Sequence, residues 1–270
     1  MRERITAGAA GKLRQTAGMS AAIRLSSVSR RYARGVLALD GVSLSIGAGE
    51  FVALLGPSGC GKTTVLRLLA GLDAADAGTV HVGEPGRTPV LSYVFQDPTL
   101  MPWASVFDNV WLPLRIAGLS RGEAQGRVLP ALQAVGLADF AQALPHELSG
   151  GMRMRASIAR ALVTRPDVLL LDEPFAALDE ITRQRLNGDL LSLWSRTRFT
   201  GVFVTHSVFE AVFLAQRVVV MSARPGRVIA DLAIGAPEPR TGAWRTDARY
   251  LESCRAASAA LEAGFAERAG

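Results

Sequence analysis

Phe51-Val52-Ala53-Leu54-Leu55-Gly56-Pro57-Ser58-Gly59-Cys60-Gly61-Lys62-Thr63-Thr64 is the stretch that decides the fold. Its apolar start predicts a buried strand, and the spacing from Lys62 to Ala70 predicts a helix. Between them, Gly56 to Thr63 fits G-x-x-x-x-G-K-[ST] in the strand-to-helix setting that the pattern requires. Glycines let the backbone wrap phosphate oxygens with N–H groups, and the helix N-terminus adds a favourable dipole. Lys62 is placed to reach the β- and γ-phosphates, and the Thr63 hydroxyl to ligate Mg²⁺. The chain has only two lysines, Lys12 and Lys62, among 30 basic residues, so lysine stands where a compact point charge is needed. Cys60 reads as a small filler of the loop.

A second element completes such a site. Val168-Leu169-Leu170-Leu171-Asp172-Glu173 is an apolar run ending in two acids, which predicts a buried parallel strand with carboxylates at its C-terminal edge. Asp172 is the candidate Mg²⁺ ligand and Glu173 the candidate general base for an attacking water. A guanine-reading N-K-x-D element is absent, since neither lysine lies in that context.

Leu148-Ser149-Gly150-Gly151-Met152-Arg153 precedes a helix-like run from Met154 to Leu162. Ser149 is a good N-cap, and two glycines beside bare helix N–H groups make another anion site. That site has no lysine or metal ligand of its own, which suggests completion by another subunit.

Other strands are expected from Ile23, at Val42–Ile46, Thr79–Val82, Val90–Phe95 and Val202–Thr205, and as a pair at Val218–Met221 and Arg227–Ala230. Helices are expected at Glu180–Trp194 and Val208–Leu214. Between Pro102 and Arg165 apolar residues recur at helical spacing, punctuated by Pro102, Pro113, Pro130 and Pro145. Strands alternating with helices imply a mostly parallel sheet covered on both faces.

Composition sets the outer limits. A chain of 270 residues, 49% hydrophobic, can bury a substantial core. Its longest apolar runs fall far short of the ~20 residues of a membrane-spanning helix. No apolar segment follows the basic residues of Met1–Ser20, so a secretory signal is not expected and the chain is read as cytoplasmic. Two cysteines, Cys60 and Cys254, are expected to stay reduced. Residues 1–34 carry eight basic groups against one acid, so with a net charge of +6 the remainder sums to −1. The basic excess is thus a short N-terminal run, which argues against a nucleic-acid surface.

The phosphate loop, the Leu-Ser-Gly-Gly element, the Asp-Glu strand end and His206 together resemble the ABC ATPase family, over about Ile23 to Ala230. The resemblance implies an α/β fold: a P-loop NTPase of the ABC ATPase type with an antiparallel β subdomain and an inserted α-helical subdomain. The domain would span 21–235 with the insert at about 102–165, between a basic tail at 1–20 and a C-terminal tail at 236–270. It further implies ATP and Mg²⁺ as ligands and a head-to-tail dimer of cassettes. Gly56 to Thr64 would then hold ATP, with Ser149, Gly150 and Gly151 meeting the γ-phosphate bound to the partner. Tyr32 resembles the aromatic residue that stacks on adenine. Gln96 resembles the glutamine that senses Mg²⁺ and water, Asp179 the residue that crosses the dimer interface, and His206 the histidine that orients Glu173. Met152 and Met154 depart from the family pattern, in which Gln is common at both positions.

Val94 to Trp103, Val106 to Val110 and Ser222 to Arg227 resemble the importer subgroup for nitrate, sulfonates and taurine. That implies transmembrane permease partners, indirectly a solute-binding protein, and a peripheral location on the cytoplasmic face of the inner membrane. Leu100, Met101 and Trp103 either supply a docking surface for the permease or pack internally. The competing functions are a soluble ABC-type ATPase acting on nucleic acid or ribosomes, and an exporter subunit.

Overall fold

The computed structural model describes residues 21–84, 86–238 and 240–266. The basic tail expected at 1–20 lies outside the described residues.

Two sheets form the body. The first is antiparallel, with order β2-β1-β4, built from β1 (Ala21–Arg31), β2 (Leu37–Gly47) and β4 (Ala77–Val82). Val42, Leu44 and Ile46 alternate with exposed residues along β2, so one face of this sheet packs inward. The second sheet has six strands in the order β5-β6-β7-β3-β8-β9. These are β3 (Phe51–Leu55), β5 (Leu91–Val94), β6 (Val168–Asp172), β7 (Thr200–Thr205), β8 (Arg217–Met221) and β9 (Val228–Ala233). Only the β8–β9 pair is antiparallel.

Every residue of β3, β6 and β7 is buried. Alternate residues serve two cores, which is why these strands read as continuous apolar runs. Val52, Leu54, Leu170, Val202 and Val204 pack toward the antiparallel sheet and α1 (Lys62–Leu69). Phe51, Leu55, Leu169, Leu171 and Phe203 pack on the other face, in a core shared with the remaining helices.

Those helices start where side chains cap them. Ser105 opens α2 (Val106–Ile116), and Ser120 with Glu123 forms a capping box at α3 (Arg121–Ala134). Ser149 opens α4 (Gly150–Leu162), Asp179 opens α5 (Glu180–Thr197) and Ser207 opens α6 (Val208–Leu214). Pro113 and Pro130 lie inside α2 and α3 and do not end them. The packing of Val110, Leu114, Val128 and Leu132 in the core outweighs the lost backbone bonds.

The sequence reading assigned no element after Ala230. The structure continues β9 to Ala233 and adds α7 (Ala248–Ala266), which buries Tyr250, Cys254 and Ala257 beside Trp244. Tyr250 donates its hydroxyl to Phe209 O at 3.0 Å, and Arg240 donates to Phe213 O and Ala215 O, both at 2.8 Å. These bonds fasten the segment to α6. No described helix is long and apolar enough to cross a membrane.

Candidate functional site

Three adjacent strands of the large sheet deliver the site. β6, β7 and β3 are neighbours, and their C-terminal ends carry Asp172 with Glu173, His206, and the Gly56 loop respectively. A parallel sheet gathers its ligands at this edge.

The loop's glycines are required by geometry. Gly61 has φ +100°, and a Cβ there would stand 2.6 Å from Leu39 Cδ2 and 2.9 Å from Ala38 O. Its neighbour Lys62 is buried and curls into the loop, donating from Nζ to Gly56 O at 2.8 Å and Pro57 O at 3.0 Å. The same Nζ lies 3.6 Å from Glu173 Oε1. Cys60 is buried inside the loop, and burial pushes its thiol pKa up. A protonated, enclosed sulfur behaves as a packing group.

Thr63 donates its hydroxyl to Asp172 Oδ1 at 3.0 Å, and Tyr93 donates its own to Oδ2 at 2.9 Å. Burial raises the Asp172 pKa, while these two hydrogen bonds and Lys62 pull it down and the Glu173 charge raises it further. Tyr93 was missed by the sequence reading. It reaches Asp172 because β5 pairs with β6 in a register that sets Tyr93 opposite Leu170.

Glu173 has φ +44°, a left-handed conformation costly for a residue with a long side chain. Its N–H donates to Val204 O at 3.0 Å, which fastens the bent chain to β7. Its carboxylate spans two partners: Lys62, and His206 Nδ1 at 3.1 Å from Oε2. A carboxylate held between an ammonium and an imidazole, with about 19% of its side chain open to solvent, can take a proton from a bound water.

His206 stands on a turn locked from below. Thr205 donates its hydroxyl to the buried Glu210 at 2.5 Å and accepts from Ser207 N at 3.0 Å. Arg183 on α5 lies 3.9 Å from the other Glu210 oxygen. Burial is the main cause raising the Glu210 pKa, partly offset by Thr205 and Arg183. Glu210 was also missed. The spacing Thr205-x-x-x-x-Glu210 across a predicted strand-to-helix turn was the available signal.

Tyr32 is half-buried, donates to Thr64 Oγ1 at 3.3 Å, and carries the Arg30 guanidinium 5.2 Å from its ring centre. Its contact with Thr64 brings it to the first turn of α1. Gln96 is exposed and makes no hydrogen bond to this cluster among the described residues. It follows Val94, which pairs with Leu171, so it leaves the sheet beside Glu173.

The Ser149 region forms a separate helix start. Ser149 is exposed and accepts from Met152 N at 3.3 Å. Gly151 is buried, with a hypothetical Cβ 2.9 Å from Thr182 Cγ2, whereas nothing stands closer than 3.7 Å to one on Gly150. Asp179, exposed at the start of α5, accepts from Thr182 N at 3.0 Å, and that bond holds its pKa down. Met154 is buried and Met152 packs at the same core's edge. Trp103 is 79% exposed, so internal packing is ruled out for it, while Leu100 packs partly against the core.

Residues 39–176 match the family model described as ABC transporter. The taurine import ATP-binding protein of Rhizobium johnstonii is 51% identical over 205 residues, covering 74% of this chain and 78% of that protein. The aliphatic sulfonates import ATP-binding protein of Mesorhizobium japonicum is 46% identical over 222 residues, covering 81% and 82%. A dimeric ATP-binding cassette solved with ADP and Pi superposes with a TM-score of 0.69 at 31% identity, covering 80% of this chain and 100% of that one. A phosphate loop joined to an acidic strand end and a histidine turn, on a fold shared with these proteins, leads to one conclusion: the chain belongs to the ABC transporter family, as one of its ATP-binding and ATP-hydrolysing subunits.

Proposed function

We propose that this ATPase powers the import of a small solute of the taurine and sulfonate class, working as a dimer bound to permease subunits at the cytoplasmic face of the inner membrane. The observation that carries the catalytic part is the Glu173 carboxylate held between Lys62 Nζ and His206 Nδ1, beside Asp172. Both import relatives favour this direction of transport over an exporter, and over action on nucleic acid or ribosomes.

In this reading ATP binding draws Lys62 Nζ from the loop carbonyls to the phosphate oxygens, whose charge it offsets together with the N–H groups opening α1. Tyr32 lies against the adenine. Glu173 takes the proton of the attacking water, and His206 holds the carboxylate and the γ-phosphate in register. Thr63 and Asp172 present hard oxygens 3.0 Å apart, a donor set that suits Mg²⁺ when completed by phosphate oxygens and water. Gln96, which leaves the sheet beside Glu173, would join that set. The metal would neutralise charge on the phosphates during transfer. Ser149, Gly150 and Gly151 of one subunit would close over the nucleotide of its partner, since their helix start has N–H groups but no lysine or metal ligand of its own. The 21–235 cassette with its helical part at 102–165 would move as this interface closes, and Trp103 would transmit that motion to the permease.

The test is reconstitution with candidate permease subunits and a solute-binding protein in vesicles. ATPase activity stimulated by taurine or an alkanesulfonate, and tied to its uptake, is the expected result. Activity that responds to DNA or ribosomes in place of solute would overturn the import reading.

A further inference from the structure

A cavity of about 680 Å³ opens at the end of the large sheet opposite the nucleotide site. Its lining includes Val168 and Thr200, the first residues of β6 and β7, and Gly49 just before β3. Three parts of the fold meet there: Arg127 and Ala131 of α3, Gly83 beside the antiparallel sheet, and Phe199 behind α5. The volume is that of a small-molecule site, and junctions between structural units are where such sites occur.

The chemistry of the walls is specific. Ala131, Val163, Leu193 and Phe199 give an apolar floor. Four arginines stand around it, of which Arg87 is paired with Asp167 and Arg198 with Glu238. Arg127 and Arg165 have no carboxylate partner among the described residues. Arg127 donates from Nη2 to Val163 O at 2.6 Å, while its Nε is buried with no hydrogen-bond partner. The enclosed Nε is out of a ligand's reach, but Nη1 makes no hydrogen bond among the described residues and is free to take an anion.

We propose that this cavity is a second ligand site, for an amphiphilic organic anion, with its apolar body on the Phe199 floor and its sulfonate or carboxylate on Arg127 and Arg165. A molecule lodged there touches all three parts of the fold and none of the phosphate loop. It is therefore bound without competition from nucleotide.

The probe is 1-anilinonaphthalene-8-sulfonate, titrated by fluorescence into the full chain with and without saturating ADP. One saturable site per chain is expected, unchanged by ADP and about tenfold weaker in Arg127→Gln, from loss of a charged hydrogen bond. Gly126 lines the cavity on α3 with open space at its Cβ position, so Gly126→Phe can send a ring toward the site from an unobstructed Cβ and raises helix propensity. This variant should lose the site while keeping its ATPase activity without ligand. The uncharged N-phenyl-1-naphthylamine should bind about tenfold more weakly than the sulfonate. Displacement by ADP, or equal binding to wild type and both variants, overturns the site. Equal binding of the uncharged probe overturns its preference for anions.

Discussion

His206 Nδ1 lies 3.1 Å from Glu173 Oε2, across the C-terminal ends of two neighbouring strands. The other Glu173 oxygen faces Lys62 at 3.6 Å, so one carboxylate joins the phosphate loop to the histidine turn. If Glu173 is the base, Glu173→Gln keeps the shape and the Lys62 neighbour but removes the proton acceptor. Turnover should fall on the order of 10²- to 10⁴-fold. ATP affinity should hold, and ATP-bound dimers should accumulate on gel filtration. Near-wild-type hydrolysis would end the general-base assignment.

Glu210 supports the same histidine from below. Glu210→Ala removes the acceptor of the Thr205 hydroxyl and frees the turn that aims His206. A kcat loss of about tenfold with KM for ATP unchanged is expected, because only transition-state alignment suffers. Glu210→Gln retains an acceptor and should restore most of the rate, an outcome that a purely space-filling role does not predict.

The same residue makes stability depend on pH. Burial raises its pKa above the ordinary carboxylate value, so the protonated form is favoured in the folded state more than in the unfolded one. Its contribution is greatest below the ordinary carboxylate range and is lost as pH rises through the raised value. Thermal melts from pH 4 to pH 7 should show wild type losing stability relative to Glu210→Gln. Parallel melting curves would show that the Thr205 and Arg183 contacts cancel the burial effect.

What was legible from sequence followed from contiguity. Gly56 to Thr63 and Val168 to Glu173 each hold their whole signal in one run, so loop, strand and carboxylates could be read directly. Tyr93 on Asp172 depends on the β5–β6 register, which local spacing does not carry, whereas Glu210 lies five residues from Thr205, a local spacing that gains meaning only once the strand-to-helix turn has folded. The helix Ala248–Ala266 gives little signal in sequence because its apolar positions are mostly alanines, and its anchor comes from Arg240 and Tyr250 bonding to α6. Pro113 and Pro130 punctuate the helical spacing in sequence, and which elements they sit in becomes clear only from the core that carries α2 and α3 through them.

Tyr32 separates ring from hydroxyl. Its hydroxyl bond to Thr64 is long, at 3.3 Å, whereas its ring already holds the Arg30 guanidinium. Tyr32→Phe should leave ATP affinity nearly unchanged. Tyr32→Ala should weaken it about three- to tenfold, the size of one lost aromatic stack. Equal losses in both variants would assign the effect to the hydroxyl.

Gly150 and Gly151 split structure from function. Gly151→Ala presses a methyl onto Thr182 and should cost stability of about 1–3 kcal/mol as α4 and α5 are forced apart. Gly150→Ala has room in the folded chain, so its melting temperature should hold or rise. Its added methyl would stand where a partner's nucleotide approaches the helix start. Dimer formation with ATP in a hydrolysis-deficient background should therefore fall although the fold is intact. Full dimerisation of that variant would remove Ser149–Gly151 from the interface.

Trp103 tests membrane attachment. It is 79% exposed on a loop that is itself rigid: Asn109, fully buried, accepts from Met101 N and donates to Met101 O, Ala104 O and Ser105 O. A large apolar ring held out on a fixed loop loses few internal contacts when it is removed. Trp103→Ala should therefore leave melting temperature, ATP affinity and solution ATPase activity unchanged. Co-purification with the permease should weaken on the order of tenfold or more, as for a buried aromatic anchor. Asn109→Ala supplies the contrast, because it loosens the loop and strands buried carbonyls, so stability and assembly should fall together. A complex that survives Trp103→Ala intact would move the docking surface away from this loop.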